Sequence, residues 1–291
     1  MDRWARWLLH ERFGGDEAAL ERTLARLEPI RGRVLDGAEL DADDVLLDVG
    51  TGDGLIGFAA LERLGPQGRI VFSDVSTDLL QVCEQLAGQA GVLDRCAFIA
   101  SAAEHLEGIA DRSVDVVATR SVLIYVDDKP AAFDTFARVL RPGGRLSLFE
   151  PVNREMRRLN GGLLFGYDTR AVSELADKVR EVYDEETPAH SAMLDFDGGD
   201  LAQLAATAGF EAVTASVEIA LESSSWLGAT TLERLRAVRP NPNAPTFGEA
   251  IDQALDDAER RELEAHLRPQ VEAGTGRSFN VGCFLTGRLP H

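Results

Sequence analysis

An apolar run that ends in a carboxylate and then breaks into alternate glycines, Leu46-Leu-Asp-Val-Gly-Thr-Gly-Asp-Gly-Leu-Ile-Gly57, restricts this chain more than any other stretch. That order describes a strand, a tight turn and the first residues of a helix. Glycines permit the turn and let backbone N–H groups approach a ligand without interference from a Cβ. Twenty residues beyond Gly54, a second apolar run, Arg69-Ile-Val-Phe-Ser-Asp74, also ends in a carboxylate. A carboxylate so placed can accept hydrogen bonds from a ribose diol. The pattern predicts a nucleoside-containing cofactor held at a strand-to-helix turn.

The rest of the chain repeats the same rhythm. Short apolar runs at Val45–Val49, Ile70–Phe72, Ala97–Ala100, Val114–Ala118 and Arg145–Phe149 alternate with helical patterns from Leu55, from Thr77 and through Phe133–Leu140. Strands separated by helices indicate βαβ units and a parallel sheet with helices on both faces. Before them, residues 1–44 read as helices and turns: Trp4, Trp7 and Leu8 share a face, and Leu20, Leu24 and Leu27 form a stripe before Pro29. Trp4 and Trp7 either close over the site as a lid or pack against the sheet. Residues 45–151 form the cofactor-binding core, and 152–199 are an insertion expected over the C-terminal edge of the sheet, as an acceptor cap. Residues 200–291 complete the core with a helix at Asp200–Ala208 and strands at Ala212–Leu221 and Ser278–Thr286. A helical insertion falls at about 223–276, where Thr246-Phe-Gly-Glu249 reads as a capping box. Ile251, Leu255, Ala258, Leu263, Leu267 and Val271 form its core-facing stripe.

Charge excludes some partners. The 291 residues include 49 acidic against 30 basic, a formal net charge of −19, which repels phosphate backbones and anionic lipid. Nucleic acid and membrane are therefore not expected partners. Cys83, Cys96 and Cys283 are scattered and read as buried small hydrophobes, giving neither a disulfide framework nor a metal site. The first ten residues lack a signal-peptide core, and no apolar run is long enough to span a bilayer, so a cytoplasmic protein is expected. The oligomeric state is open, a homodimer included.

Two cofactors compete for the loop. Gly52-Asp-Gly-Leu-Ile-Gly57 satisfies the dinucleotide pattern, with Asp74 at about the right distance. Asp48 discriminates, because a carboxylate at the end of an apolar strand is costly unless it is hydrogen-bonded or faces a cation. A pyrophosphate would be repelled by Asp48 and Asp53, whereas the sulfonium and ammonium of S-adenosylmethionine suit acidic surroundings.

Asp48-x-Gly50-x-Gly52-x-Gly54, Asp74 and the later Leu140-Arg-Pro-Gly-Gly-Arg145 together resemble the class I S-adenosylmethionine-dependent methyltransferases, closest to the small-molecule, ubiquinone/menaquinone-biosynthesis-like group. The resemblance covers about residues 45–150 well and the closing two strands moderately. It implies an α/β, Rossmann-like seven-stranded mixed sheet whose last strand is antiparallel. By position, Asp48 with the Gly50, Thr51, Gly52 and Gly54 backbone would hold the methionine end, and Asp74 the ribose hydroxyls. Val75 would pack on adenine, and Ala102 with Ala103 would stand where the family commonly places an acidic residue on the adenine amino group. At Ala102 this chain departs from that pattern, so a backbone carbonyl or Glu104 would have to substitute. Arg120, within Thr119-Arg-Ser121, would line the sulfonium region.

Methyl transfer is an in-line displacement governed mainly by proximity and orientation, and it requires no metal. A base is needed only if the acceptor must lose a proton. The acceptor is expected to be a small organic molecule methylated on O, N or C, with S-adenosylhomocysteine as product. Tyr125, Glu150, Asn153, Arg154, Phe165 and Tyr167 are the acceptor-side candidates. Against each stands a structural role: Tyr125 as a packed aromatic, Glu150 as the cap of a turn, and Arg154, Arg157 and Arg158 as a solvated helix face. His10 and His105 read more readily as surface residues than as site residues. Two other functions remain open, an NAD(P)-dependent oxidoreductase and a non-catalytic cofactor-binding scaffold.

Overall fold

The computed structural model describes residues 1–11, 17–187, 191–224 and 229–291. Among the described residues, seven strands form one sheet: β1 (Val45–Val49), β2 (Arg69–Asp74), β3 (Cys96–Ala100), β4 (Val114–Arg120), β5 (Leu140–Pro151), β8 (Glu211–Ser223) and β9 (Arg277–Arg288). A two-residue pair, β6 (Leu163–Leu164) and β7 (Tyr167–Asp168), stands apart. The sheet order is β3-β2-β1-β4-β5-β9-β8. β1 runs parallel to β2 and β4, and β4 to β5, while β9 is antiparallel to both β5 and β8. The expected mixed sheet with one reversed strand is thus present.

Register decides where function can sit. Val49 pairs with Ser73 on one side and Thr119 on the other, so β1, β2 and β4 end at the same edge. The chain leaves β1 toward β2 and β3 but places β4 and β5 on the opposite side. That reversal opens a crevice beyond the strand ends, where ligands of open α/β sheets bind.

Side chains alternate across the sheet and divide the core. Leu46, Ile70, Phe72, Val116 and Ala118 pack on α2 (Glu17–Gly37), α3 (Leu55–Arg63) and α4 (Thr77–Gln89). Leu47, Val49, Val117, Leu146 and Leu148 pack on α5 (Lys129–Val139) and α8 (Gly198–Thr207). α2 runs through Pro29 to Gly37 instead of stopping at the proline. Val34, Leu35 and Ala38, buried at and just beyond the end of α2, supply packing that offsets the lost backbone hydrogen bond. Within the expected stripe Leu27 is buried but Leu24 is exposed, and the side chain of Leu20 lies outside the described residues.

A third core joins the two insertions, which the sequence offered as separate pieces. α6 (Asn153–Leu159) leads to the β6–β7 pair and α7 (Ser173–Glu186), and the second insertion holds α9 (Leu232–Arg236), α10 (Phe247–Ala254) and α11 (Asp257–Glu272). Leu164, Tyr167, Ala176 and Val179 from the first pack against Leu232, Phe247, Ile251, Leu263 and Leu267 from the second. The capping box forms as expected: Thr246 Oγ1 accepts from Glu249 N at 3.1 Å, and Thr246 N donates to the Glu249 carboxylate at 2.7 Å. Ala258, expected in the buried stripe, is exposed because Asp256 starts a new helix there and resets the phase. Asn160 ties this unit to the sheet by exchanging two hydrogen bonds with the Phe279 backbone, each at 2.8 Å.

Candidate cofactor and acceptor site

The glycine loop is shaped by left-handed backbone at Gly50, Gly52 and Gly54, with φ of 64°, 58° and 85°. A side chain at Gly50 would place its Cβ 2.2 Å from Val122 Cγ2. Beneath the loop, Asp48 Oδ2 accepts from Thr51 Oγ1 at 2.7 Å and from Gly57 N, in the first turn of α3, at 2.9 Å. Of the two ways to tolerate a buried acid, the structure therefore uses hydrogen bonds, with the Arg120 guanidinium adding a weaker favourable field. Burial pushes the Asp48 carboxyl up to about 7. Its bonds clamp the loop to the helix, so Asp48 shapes the cradle.

Asp74 stands across the crevice. Its Oδ2 accepts from Gly52 N and its Oδ1 from Ser76 N, both at 2.9 Å, and burial raises its pKa. Beside it Val75 is 56% exposed, an apolar side chain at the rim with little covering it. Ala102 is half-buried, and the Ala103 side chain is packed into the sheet core, leaving only its backbone for a ligand.

The N-terminal stretch crosses this edge and does not lie on a face of the sheet. Asp2 caps α1 (Arg3–Arg6) and accepts from Ser76 Oγ at 2.6 Å. Trp4 meets Tyr125 edge-on at 4.9 Å between ring centres. Leu8 Cδ2 lies 3.2 Å from where a Cβ on Gly52 would be. Trp7 Nε1 donates to Arg239 O at 3.2 Å, and Glu11 pairs with the Arg239 guanidinium at 3.4 Å, linking the stretch to the helical unit. His10 and His105 are exposed.

Several acceptor-side candidates take structural roles. Glu150 is fully buried and accepts from the backbone N–H of Val122, Leu123 and Ile124 at 2.9, 3.0 and 3.3 Å. It caps the turn after β4, and its oxygens are committed there. Tyr167 and Phe165 lie in the core of the helical unit, where a Cβ on Gly276 would stand 2.6 Å from the Tyr167 ring. Both are spent on packing. Asn153 opens α6 and is half-buried. Arg154 pairs with Asp197 and Asp200, Arg157 with Asp184 and Arg158 with Glu155, a solvated ionic face. The Leu140–Arg145 motif also works away from the crevice: Arg145 binds Asp44 and donates to Glu39 O at 2.6 Å, joining the starts of β5 and β1.

A cavity of about 500 Å³ between α2 and strands β5, β9 and β8 was not foreseen from sequence. Arg120 and Ser121, at the end of β4, line it together with residues from five other elements, α2, β5, α6, β8 and β9. One available signal was Gly282 inside a strand, since a strand glycine marks a close approach. A Cβ there would sit 2.3 Å from the Phe149 ring.

An acid-flanked glycine loop at the switch point of such a sheet defines a Rossmann-like nucleoside-binding protein. A family model described as a methyltransferase domain matches residues 40–219, and the chain belongs to that family. It is similar to the ubiquinone/menaquinone biosynthesis C-methyltransferase UbiE of Hahella chejuensis, 32% identical over 168 residues, 53% of this chain and 66% of the relative. The chain thus spans just under two thirds of that relative's length. Among solved structures, the YcgJ protein of Bacillus subtilis superposes with a TM-score of 0.59 at 19% identity, covering 91% of this chain and 99% of that one. A phosphoethanolamine N-methyltransferase 2 of Haemonchus contortus, solved with S-adenosyl-L-methionine, gives 0.51 at 15% identity, covering 99% of this chain and 56% of that one. Those two likenesses concern the fold. No helix among the described residues is long and apolar enough to cross a membrane.

Proposed function

We propose that this protein transfers a methyl group from S-adenosylmethionine to an O, N or C atom of a small organic acceptor, releasing S-adenosylhomocysteine. The observation that carries the reading is the acid-flanked glycine loop of Asp48–Gly54 facing Asp74, in a chain of the methyltransferase-domain family. The residues present fit that cofactor. The loop backbone of Gly50, Thr51, Gly52 and Gly54 receives the methionine end, Asp74 the ribose diol, and the exposed Val75 side chain the adenine face. With Ala102 in place of an acid, the adenine amino group is left to a backbone carbonyl or to Glu104.

The cofactor supplies an electrophilic methyl on a positively charged sulfur. A lone pair of the acceptor forms the new bond to carbon while the C–S pair leaves with sulfur as a neutral thioether. The protein's part is alignment and water exclusion. Asp48 holds the loop in shape, and the carboxylates of Asp48, Asp53 and Asp74 give the crevice a field that favours positive charge. Residues 1–11 close the cofactor edge as a lid, and the joint helical unit caps the acceptor side. Glu150, held by three N–H groups, serves the turn and not proton transfer. The strong negative charge argues against nucleic acid as acceptor, and we place the protein in the cytoplasm. A homodimer is one assembly compatible with the reading, and light scattering decides it.

Calorimetry tests the central claim. Micromolar binding of S-adenosylhomocysteine with no heat from NAD is expected. Binding of NAD alone would establish the oxidoreductase reading instead, and tight cofactor binding with no methylated product from any acceptor would favour a scaffold.

A further inference from the structure

Arg120 is the unspent charge of the site. Two other arginines on the cavity wall are already paired, Arg26 with Glu222 at 2.8 Å and Arg33 with Glu218 at 2.5 Å. Arg33 also lies 3.6 Å over the Phe284 ring. Arg120, by contrast, enters no ion pair among the described residues, and its hydrogen bond there is to Ser121 Oγ at 3.2 Å. A guanidinium carries five N–H donors in a planar fork, so most of that capacity remains for a ligand. The acids whose fields act on it are Asp53, Glu150 and Asp48, and the last two have committed oxygens to other groups. Burial works against its charge while those acids sustain it.

Such a group does not serve a sulfonium. Two cations in one desolvated crevice repel, and the repulsion grows as water is excluded. An anion between or beside them reverses the sign. Most of the cavity wall beside Arg120 is apolar, with Leu27, Ile30, Phe149, Met156, Val281 and Phe284, and the two internally neutralised pairs, Arg26–Glu222 and Arg33–Glu218, stand on it with Ser121 and Asn280. Its size, about 500 Å³, falls within the range of small-molecule sites.

Resting on the methyltransferase reading, we infer that Arg120 receives the carboxylate of the methyl acceptor, whose apolar body fills the cavity between α2 and strands β5, β9 and β8. The acceptor class is then a small, predominantly apolar monocarboxylic acid. The rival ligand of the same chemistry is the cofactor's own methionine carboxylate, and the experiment separates the two.

The full chain is saturated with S-adenosylhomocysteine and titrated calorimetrically with benzoate, cinnamate, 2-naphthoate and decanoate, each beside its methyl ester. At least one acid is expected to bind at least tenfold tighter than its ester. Arg120→Gln should abolish that preference while holding S-adenosylhomocysteine affinity within threefold, which also shows that the variant folds. Arg120→Lys should restore only part of it, because an ammonium lacks the fork. Ile30→Trp, which fills the cavity and leaves the guanidinium in place, should weaken the same acid at least tenfold. If no acid binds, or none better than its ester, the assignment is overturned. It is also overturned if Arg120→Gln loses tenfold or more in S-adenosylhomocysteine affinity with the acids unaffected, since Arg120 then holds the cofactor. Wild-type protein that takes up no S-adenosylhomocysteine removes the methyltransferase reading itself.

Discussion

Asp48, Asp74 and Glu150 are three buried carboxyls within one crevice, and each is kept by backbone N–H groups. Their fates differ. Asp74 is the one expected to exchange partners with a ligand, so Asp74→Ala should weaken S-adenosylhomocysteine by about 2 kcal/mol, roughly thirtyfold, the scale of hydrogen bonds to a charged group. Calorimetry measures it, and unchanged affinity would count against the ribose role. Glu150 carries a pH signature instead. Burial lifts it from 4.5 to about 7, so between those values the folded chain holds a proton that the unfolded chain has released. Its stabilising contribution is fully present below pH 4.5 and is lost as pH rises through 7. Urea unfolding of wild type minus Glu150→Gln should therefore fall by about 3 kcal/mol from pH 4.5 to 7.5. A flat difference would place Glu150 outside the buried turn. Burial also raises Cys83 to about 12 and Cys283 to about 11. Both should react with a thiol reagent at pH 8 only on unfolding, as mass spectrometry of the labelled protein can read.

Elements set by local rules were the most legible. The capping box at Thr246 and Glu249 formed where the residues announced it, because its partners are three positions apart. Thr246→Ala should cost about 1 kcal/mol in unfolding free energy and leave cofactor affinity unchanged. Where a local rule met tertiary packing, packing prevailed. Pro29 did not end α2, and the stripe through Ala258 lost phase at the start of α11. Among the site residues, Asp48 and Asp74 lie within single strand-to-helix turns and could be read directly. Glu150 reads from sequence either as an acceptor-side group or as the cap of a turn, and the turn it caps is not legible there, because it lies some thirty residues earlier in the chain and on another strand's end.

At the scale of the molecule, three cores cooperate: two on the faces of the sheet and one shared by the insertions. The N-terminal stretch bridges the ends of β2 and β4 and the helical unit through Ser76, Tyr125 and Arg239. Trp4→Ala removes an edge-on aromatic contact of about 0.5–1.5 kcal/mol. It should speed S-adenosylhomocysteine release roughly threefold to tenfold in stopped-flow displacement, with little change in thermal stability. Ligand at a hundred times its dissociation constant should add about 2.7 kcal/mol to the stability of the whole chain. NAD at equal concentration should add none.

The sequence by itself determined the alternation of strand and helix, the glycine loop and the two carboxylates that face it. Each of these is a short-range pattern whose physical cause lies within a few residues. The tertiary structure alone decided the joining of two distant insertions into one core, the closure of the edge by residues 1–11, and the cavity beside Arg120. Those depend on which segments meet in space, and residues from six elements converge at the cavity without any spacing along the chain to reveal it.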